Sequence, residues 1–168
     1  PKKVSSIIIP YMETIDSLFN ESIKLVQARD GYRFSLDPVL LADFVRLRGD
    51  ETVLDLGSGC GVLALSLARR WTLLSVVGWE RQEQVAERAV RSTTLSGLAG
   101  QVTILCADLR RHRELAAPGS YDLIVTNPPY RTPGCGRVAP GDERAAARHE
   151  LAGGLRDFVQ AASWGLKN

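Results

Sequence analysis

The sequence predicts an α/β fold: a mostly parallel sheet with helices on both faces. Short apolar runs at residues 52–56, 73–80, 102–106 and 122–126 have the length and composition of buried strands. Stretches with helical spacing separate them, at residues 62–70 and 82–97. The first strand leads into a glycine-rich turn and then a helix, which is the beginning of a βαβ unit. Strands that alternate with helices indicate a parallel sheet.

Length and composition limit the possible functions. The 168 residues predict one domain over residues 13–168, preceded by a tail over residues 1–12. A net charge of +2 excludes nucleic-acid binding through bulk charge, so such a role needs a local patch. There is no apolar run of about 20 residues for a membrane span. Three scattered cysteines and two histidines suggest neither a metal site nor a disulfide framework, and favour reduced thiols in the cytoplasm.

The region before the first strand predicts a β-hairpin. Ile23, Leu25 and Gln27 alternate with other residues, and Asp30-Gly31 separates this run from residues 32–34. Asp-Gly between two alternating runs favours a tight hairpin turn. The alternative is one amphipathic helix over residues 14–28, and we prefer the hairpin.

A helix is predicted next. Asp37 has the position of an N-cap and Pro38 that of the first helical residue. Apolar residues continue at helical spacing as far as Leu47, and Gly49 is expected to end the helix.

Three acidic residues follow three consecutive predicted strands. Asp55 lies at the end of the first strand, Glu80 at the end of the second and Asp108 just after the third. The carboxyl ends of parallel strands form the ligand-binding edge of such sheets. These acids match S-adenosylmethionine group by group: its amino group, its ribose hydroxyls and its adenine amino group.

The glycine-rich turn has the pattern Gly57-Ser58-Gly59-Cys60-Gly61, whose glycines would let backbone N–H groups approach a ligand. The alternative ligand for such a turn is a dinucleotide. Two features argue against it: the pattern is not Gly-x-Gly-x-x-Gly, and Asp55 would repel a pyrophosphate.

The fourth strand runs directly into Asn127-Pro128-Pro129-Tyr130. Two prolines stop the strand and make a rigid corner. The Asn127 side-chain oxygen and a proline carbonyl can accept both hydrogens of a planar amino group, while Tyr130 can stack on its ring. This corner therefore predicts chemistry on an amino group attached to a π system.

Arginines surround this corner in the sequence. Arg131 and Arg137 follow it in a Gly- and Pro-rich loop, where they can contact phosphates or simply be solvated. The basic run at residues 110–113 is interpreted as a solvated helix start. A helix that carries Arg144 and Arg148 is predicted to run through Leu151, Leu155, Phe158 and Val159 to Trp164. His149 is interpreted as structural.

With these residues, the chain resembles the class I S-adenosylmethionine-dependent methyltransferases, in the branch with the Asn-Pro-Pro-Tyr corner. Residues 31–42 and 143–151 resemble more narrowly the bacterial tRNA adenine-N6 methyltransferases that act on valine tRNA. The resemblance implies a Rossmann-like methyltransferase sheet, with a fifth strand and an antiparallel pair missing after residue 168. It implies cofactor contacts from these residues: Asp55, Gly57, Ser58, Gly59, Cys60, Gly61, Glu80, Asp108, Leu109 and Asn127.

The resemblance also implies a reaction and a substrate. Methyl transfer to adenine N6 in tRNA would depend on Asn127, Pro128 and Tyr130, with Pro129, Tyr130, Arg131 and Arg137 contacting the substrate. No metal is expected. Two alternatives remain: methylation of a protein glutamine, whose amide suits the same corner, and a non-catalytic module that binds S-adenosylmethionine or RNA.

Overall fold

A computed structural model describes residues 11–31, 33–128 and 154–168, which form an α/β fold with a parallel central sheet and an N-terminal antiparallel hairpin. The strands are β1 (Glu13–Leu18), β2 (Ile23–Ala28), β3 (Thr52–Leu56), β4 (Ser75–Glu80), β5 (Val102–Cys106) and β6 (Leu123–Thr126). The helices are α1 (Asp37–Phe44), α2 (Val62–Arg70), α3 (Glu83–Leu95), α4 (His112–Leu115) and α5 (Leu155–Gly165), with a 3₁₀ turn at Leu109–Arg111. Within the described ranges, no helix is long and apolar enough to cross a membrane.

The central sheet has the strand order β5-β4-β3-β6, and all neighbouring strands are parallel. Asp55 on β3 lies opposite Gly78 on β4 and Val125 on β6. Because every strand points the same way, their carboxyl ends meet at one edge, as the alternation of strands and helices predicted.

Both faces of the sheet are covered, which confirms the predicted layers. Val53 and Val76 belong to a core shared with α2, α3 and the hairpin. Leu54, Leu56 and Trp79 project to the other face, where Phe158 of α5 packs in a second core. Burial of each such side chain stabilises the fold by about 1.5–3 kcal/mol.

The hairpin exists, but its predicted turn is wrong. β1 pairs with β2, so the chain reverses at residues 19–22 and not at Asp30-Gly31, and residues 33–35 form no strand. Phe19, Asn20 and Glu21 all have positive φ. The alternative helix over residues 14–28 is also wrong. The hairpin is fixed by contacts with a distant element, because β2 packs against α3. The hydroxyls of Ser96 and Ser92 accept hydrogen bonds from the backbone of β2.

Helix α1 forms where predicted, but it is shorter. Leu36 and not Asp37 is the N-cap, and the helix ends at Phe44 because Val45 has an extended backbone. Val45 is buried in the core, so the chain leaves the helix to place this side chain. Arg70 of α2 then donates a hydrogen bond to the carbonyl of Ala42 in the last turn of α1.

Strand β6 pairs with β3 on one side. On its other side, within the described residues, Tyr121 forms a single parallel bridge with Leu166, and Lys167 N donates to Tyr121 O at 2.9 Å. The Lys167 ammonium also pairs with Asp122 at 2.6 Å. The end of α5 is thereby attached beside the beginning of β6.

Candidate active site at the carboxyl edge of the sheet

The glycine-rich turn after β3 is held against the end of β4. Gly57, Gly59 and Gly61 have φ of 72°, 55° and 81°, which L side chains rarely adopt. The N–H groups of Gly57 and Ser58 donate to the carbonyl of Trp79 at 2.9 and 3.0 Å. These amides therefore bond to the protein itself. What the glycines supply is the left-handed backbone and the space around it.

Gly78 shapes the site, although no motif in the sequence pointed to it. A β-carbon on Gly78 would lie 2.8 Å from the Ser58 Oγ and 2.6 Å from the Ile104 Cδ1. The glycine-rich turn can therefore lie directly on β4 only because position 78 has no side chain. The available signal was a glycine inside an otherwise apolar run, which often marks a close backbone approach.

Asp55 is buried beneath this turn, with 1% of its surface exposed. Among the described residues, its Oδ2 atom has no hydrogen-bond partner. Burial and, second, the charge of Glu80 raise the pKa of Asp55 to about 7, while the N–H of Ala64 in the first turn of α2 opposes the shift. A buried carboxylate oxygen without a donor is costly, so it favours a ligand that brings a hydrogen-bond donor or a positive charge.

Glu80 ends the neighbouring strand and is oriented by two backbone amides. Its Oε2 accepts from Gly59 N at 2.9 Å, and its Oε1 accepts from Gln82 N at 2.8 Å. Burial raises the pKa of Glu80, and these two amides lower it in part. The backbone amide of Arg81 also lowers the pKa of Glu80. A carboxylate has about four lone-pair directions, so these amides leave Glu80 able to accept a further donor.

Asp108 follows β5 and is the third acid of the predicted set. Its carboxylate accepts from the backbone N–H of Arg110 at 3.0 Å and pairs with the Arg110 guanidinium. These hydrogen bonds hold the pKa of Asp108 below its usual value. The sequence predicted an acid at this strand end, but not that Arg110 engages it.

The predicted corner begins at the end of β6. Thr126 Oγ1 donates to Leu56 O at 2.8 Å, which ties the end of β6 to the end of β3. Asn127 and Pro128, both half-buried, come next and therefore stand beside the glycine-rich turn. Pro129, Tyr130, Arg131, Arg137 and His149 lie outside the described residues.

Two further residues complete the edge. Burial raises the pKa of the Cys60 thiol to about 11, so this cysteine is an uncharged packing residue of the turn. The Phe158 ring of α5 lies 3.5 Å from where a β-carbon on Gly57 would be, which the sequence did not predict. In the described parts of the chain, no three His, Cys, Asp or Glu side chains form a group suited to a metal.

The sequence matches the methyltransferase small domain over residues 37–143. The chain belongs to this methyltransferase family. The matched region contains α1, the glycine-rich turn, the three acidic strand ends and the Asn127 corner. The resemblance inferred from the motifs is thus confirmed at the level of the family.

Named relatives of this methyltransferase include proteins described as tRNA1(Val) (adenine(37)-N6)-methyltransferase. The Bacteroides fragilis protein (strain YCH46) is 34% identical over 113 residues, which are 67% of this chain and 46% of that protein. The protein of Enterobacter sp. (strain 638) is 33% identical over 155 residues, 83% of this chain and 62% of that protein. The chain therefore spans about half to three fifths of the length of these relatives.

Solved structures share the fold of this methyltransferase. An S-adenosylmethionine-dependent methyltransferase from Thiobacillus denitrificans, crystallised with S-adenosyl-L-homocysteine, superposes with a TM-score of 0.55 at 21% identity, over 83% of this chain and 47% of that one. A putative transferase from Pyrococcus horikoshii gives a TM-score of 0.62 at 20% identity, over 94% and 50% of the two chains. At these identities, the likeness establishes the Rossmann-like architecture.

Proposed function

We propose that this methyltransferase transfers a methyl group from S-adenosylmethionine to the exocyclic N6 of an adenine in tRNA, in the cytoplasm. The observation that carries the proposal is the row of side chains along the carboxyl edge. Asp108, Glu80, Asp55 and Asn127 lie at or directly after the carboxyl ends of four strands that are neighbours in the order β5-β4-β3-β6. Each can accept hydrogen bonds, and the row ends at a rigid Asn-Pro corner.

The acids suit the cofactor in their chemistry. The unpartnered Asp55 Oδ2 is suited to the cationic amino group of the methionine part. Glu80 is held by backbone amides at the end of β4, and its carboxylate suits the ribose hydroxyls. Asp108 and the backbone of Leu109 stand where the adenine would be bound, and Gly57, Ser58, Gly59, Cys60 and Gly61 form the turn beneath the cofactor. When bound, S-adenosylmethionine supplies an electrophilic methyl group on a sulfonium.

The corner orients the accepting amino group. The Asn127 side-chain oxygen and the Pro128 carbonyl, each fixed at the end of β6, accept its two hydrogens. The nitrogen lone pair is then directed away from the ring plane, toward the cofactor side of the edge. Positioning of this kind can supply much of a rate enhancement without a general base. The methylated nitrogen is strongly acidic, so its proton leaves to solvent.

A nucleic-acid substrate is supported by the names of the relatives and by the chemistry after the corner. Tyr130 can stack on the target base, and Pro129 is the second residue proposed to contact it. Arg131 and Arg137 supply phosphate contacts, which a chain with a net charge of only +2 needs locally. An adenine in a tRNA loop is already unpaired, so it costs less to extrude than a base in a duplex.

The test offers competing acceptors to the same enzyme. Methyl-labelled S-adenosylmethionine is incubated with total bacterial RNA and total bacterial protein, and modified nucleosides and peptides are resolved by mass spectrometry. We expect N6-methyladenosine in the tRNA fraction and a loss of about 10²–10³-fold in rate for Asn127→Ala. The matched control is Thr126→Ser, which keeps the hydroxyl that bonds to Leu56 and should keep the activity.

Two outcomes would contradict the proposal. Label in glutamine side chains of proteins, with none in RNA, would assign the corner to protein amides. S-adenosylhomocysteine binding without label in any acceptor would indicate a module that binds the cofactor or RNA without catalysis.

A further inference from the structure

Both carboxylate oxygens of Asp108 are engaged by Arg110 in this structure. Its Oδ1 accepts from the backbone N–H of Arg110 at 3.0 Å and from Nε at 2.9 Å. Its Oδ2 accepts from the same Nε at 3.0 Å and from Nη2 of the guanidinium. A carboxylate has about four lone-pair directions, two on each oxygen. One residue, Arg110, makes all four contacts, with the single Nε hydrogen shared between the two oxygens.

We propose that Arg110 competes with the adenine amino group of the cofactor for the Asp108 carboxylate, and so sets the affinity and the base selectivity of the cofactor site. This inference rests on the proposed function, which assigns Asp108 to the adenine. An amino group needs at least one acceptor direction on Asp108. The Arg110 guanidinium must therefore rotate away before that hydrogen bond can form.

The competition is reversible because the pair is at the surface. The side chain of Arg110 is 47% exposed, and that of Asp108 is 21% exposed. Exposed ion pairs of this kind contribute little to stability, so the guanidinium can leave at low cost. Asp157, in the first turn of α5, also attracts Arg110 and adds to the raised pKa of its guanidinium. The displaced side chain therefore has a second acidic residue to turn toward.

The backbone contact does not take part in the competition. The Arg110 N–H caps the 3₁₀ turn at Leu109–Arg111 through Asp108 Oδ1. Arg110→Ala keeps this N–H and the turn. It removes the three side-chain contacts to the carboxylate and leaves the backbone contact. Arg111→Ala is the matched control, because it removes an equal charge from the same turn. The Arg111 guanidinium pairs with Glu114 and not with Asp108.

The experiment measures binding of S-adenosylhomocysteine by isothermal titration calorimetry. This ligand has one cationic and one anionic group, so long-range charge does not favour any of the variants. We expect Arg110→Ala to bind it about two- to fivefold more tightly than the wild type, and Arg111→Ala to bind it equally well. Raising the salt concentration from 50 to 500 mM should tighten binding to the wild type and leave Arg110→Ala unchanged, because salt screens an exposed ion pair.

A second ligand shows whether Arg110→Ala removes a competitor of the adenine amino group or changes the affinity of the site for any ligand. In the inosine analogue of S-adenosylhomocysteine, an oxo group replaces the 6-amino group and cannot donate to Asp108. Arg110→Ala should bind this analogue no more tightly than the wild type does. The ratio of the affinities for the adenine and inosine ligands should therefore be larger in the variant. Equal or weaker binding of S-adenosylhomocysteine by Arg110→Ala, or the same gain in Arg111→Ala, would overturn the inference alone. If S-adenosylhomocysteine does not bind to the wild type at all, the proposed function fails as well.

Discussion

Ser58 lies directly on the backbone of Gly78. A β-carbon at position 78 would be 2.8 Å from the Ser58 Oγ and 2.9 Å from the Ser58 Cβ, closer than real side chains approach. Ser58 belongs to the turn that ends β3, whereas Gly78 lies within β4. The hydrogen bonds from the Gly57 and Ser58 N–H groups to the Trp79 carbonyl hold the turn against β4. The site and the sheet are thus joined through a position that has no side chain.

Gly78→Ala should destabilise the protein and weaken S-adenosylhomocysteine binding. The new methyl group would displace Ser58 and the Ile104 side chain, and overpacking of this kind costs about 1–3 kcal/mol of unfolding free energy. Urea denaturation and calorimetric titration measure the two effects. Gly100→Ala is the control, since no atom of the described residues, apart from its chain neighbours, lies within 4 Å of its β-carbon position. A Gly78→Ala variant as stable as Gly100→Ala would contradict the close approach.

Asp55→Asn should stabilise the ligand-free protein at pH 8. Burial and the charge of Glu80 raise the pKa of Asp55 from 3.8 to about 7. Between these values the folded protein keeps a proton that the unfolded chain has released, so the free energy of unfolding falls as the pH rises through this range. The charged group then costs on the order of 2–4 kcal/mol at pH 8, which asparagine avoids. Denaturation measured at pH 8 and pH 4.5 should show that Asp55→Asn raises the free energy of unfolding less at the lower pH.

Asp122→Asn is the control, because it should change the free energy of unfolding in the opposite direction. The hydrogen bond from Lys167 lowers the pKa of Asp122, so this carboxylate contributes stability at neutral pH that is lost on acidification. The variant should be slightly less stable than the wild type at pH 8, not more. If both variants shift stability in the same direction, burial is not what raises the pKa of Asp55.

Binding of S-adenosylhomocysteine should weaken in acid. A cationic amino group needs the ionised form of Asp55, whose pKa is about 7 in the ligand-free protein. Below that pH, binding must release a proton, so the affinity should fall about tenfold for each further pH unit. Titrations at pH 6 in two buffers of different ionisation enthalpy measure the released proton. Asp55→Asn should bind weakly at every pH and release none, whereas a flat wild-type profile would show that Asp55 does not receive the amino group.

Tyr130→Ala should reduce kcat/KM for tRNA by roughly 5- to 150-fold, because stacking on a base contributes about 1–3 kcal/mol. Tyr130→Phe keeps the ring and should stay close to the wild type. Steady-state methylation of tRNA measures both variants, with S-adenosylhomocysteine binding as the check that the cofactor site is intact. A Tyr130→Leu variant as active as the wild type would argue for a glutamine amide, which has no ring to stack.

The strands of the sheet could be predicted from local patterns. Residues 102–106 were predicted as a strand with the bounds that β5 has, and α2 and α3 also lie where their spacing placed them. The acids at the ends of β3, β4 and β5 follow from these bounds, because parallel strands bring their carboxyl ends to one edge. Apolar periodicity is a property of neighbouring residues, so one sequence is sufficient to reveal it.

The hairpin turn could not be placed in this way. Asp30-Gly31 has the stronger local signal, yet the chain reverses at residues 19–22, where three non-glycine residues have positive φ. The strain there is offset by contacts distant in sequence: β2 is buried against α3, and Ser92 and Ser96 bond to its backbone. Local propensity yields to such contacts because burial and satisfied backbone groups contribute more.

The sequence by itself therefore determined the alternation of strands and helices in the central sheet and the acids at its strand ends, and it predicts a corner at Asn127. The tertiary structure decided the surroundings of these groups. Asp55 is buried, with no partner for Oδ2 in the described part of the chain, Ser58 lies on Gly78, and Arg110 engages Asp108. The physical reason is one of range. Periodicity and turn chemistry act between near neighbours, whereas desolvation, steric contact and the choice among ion-pair partners depend on the positions of atoms in three dimensions.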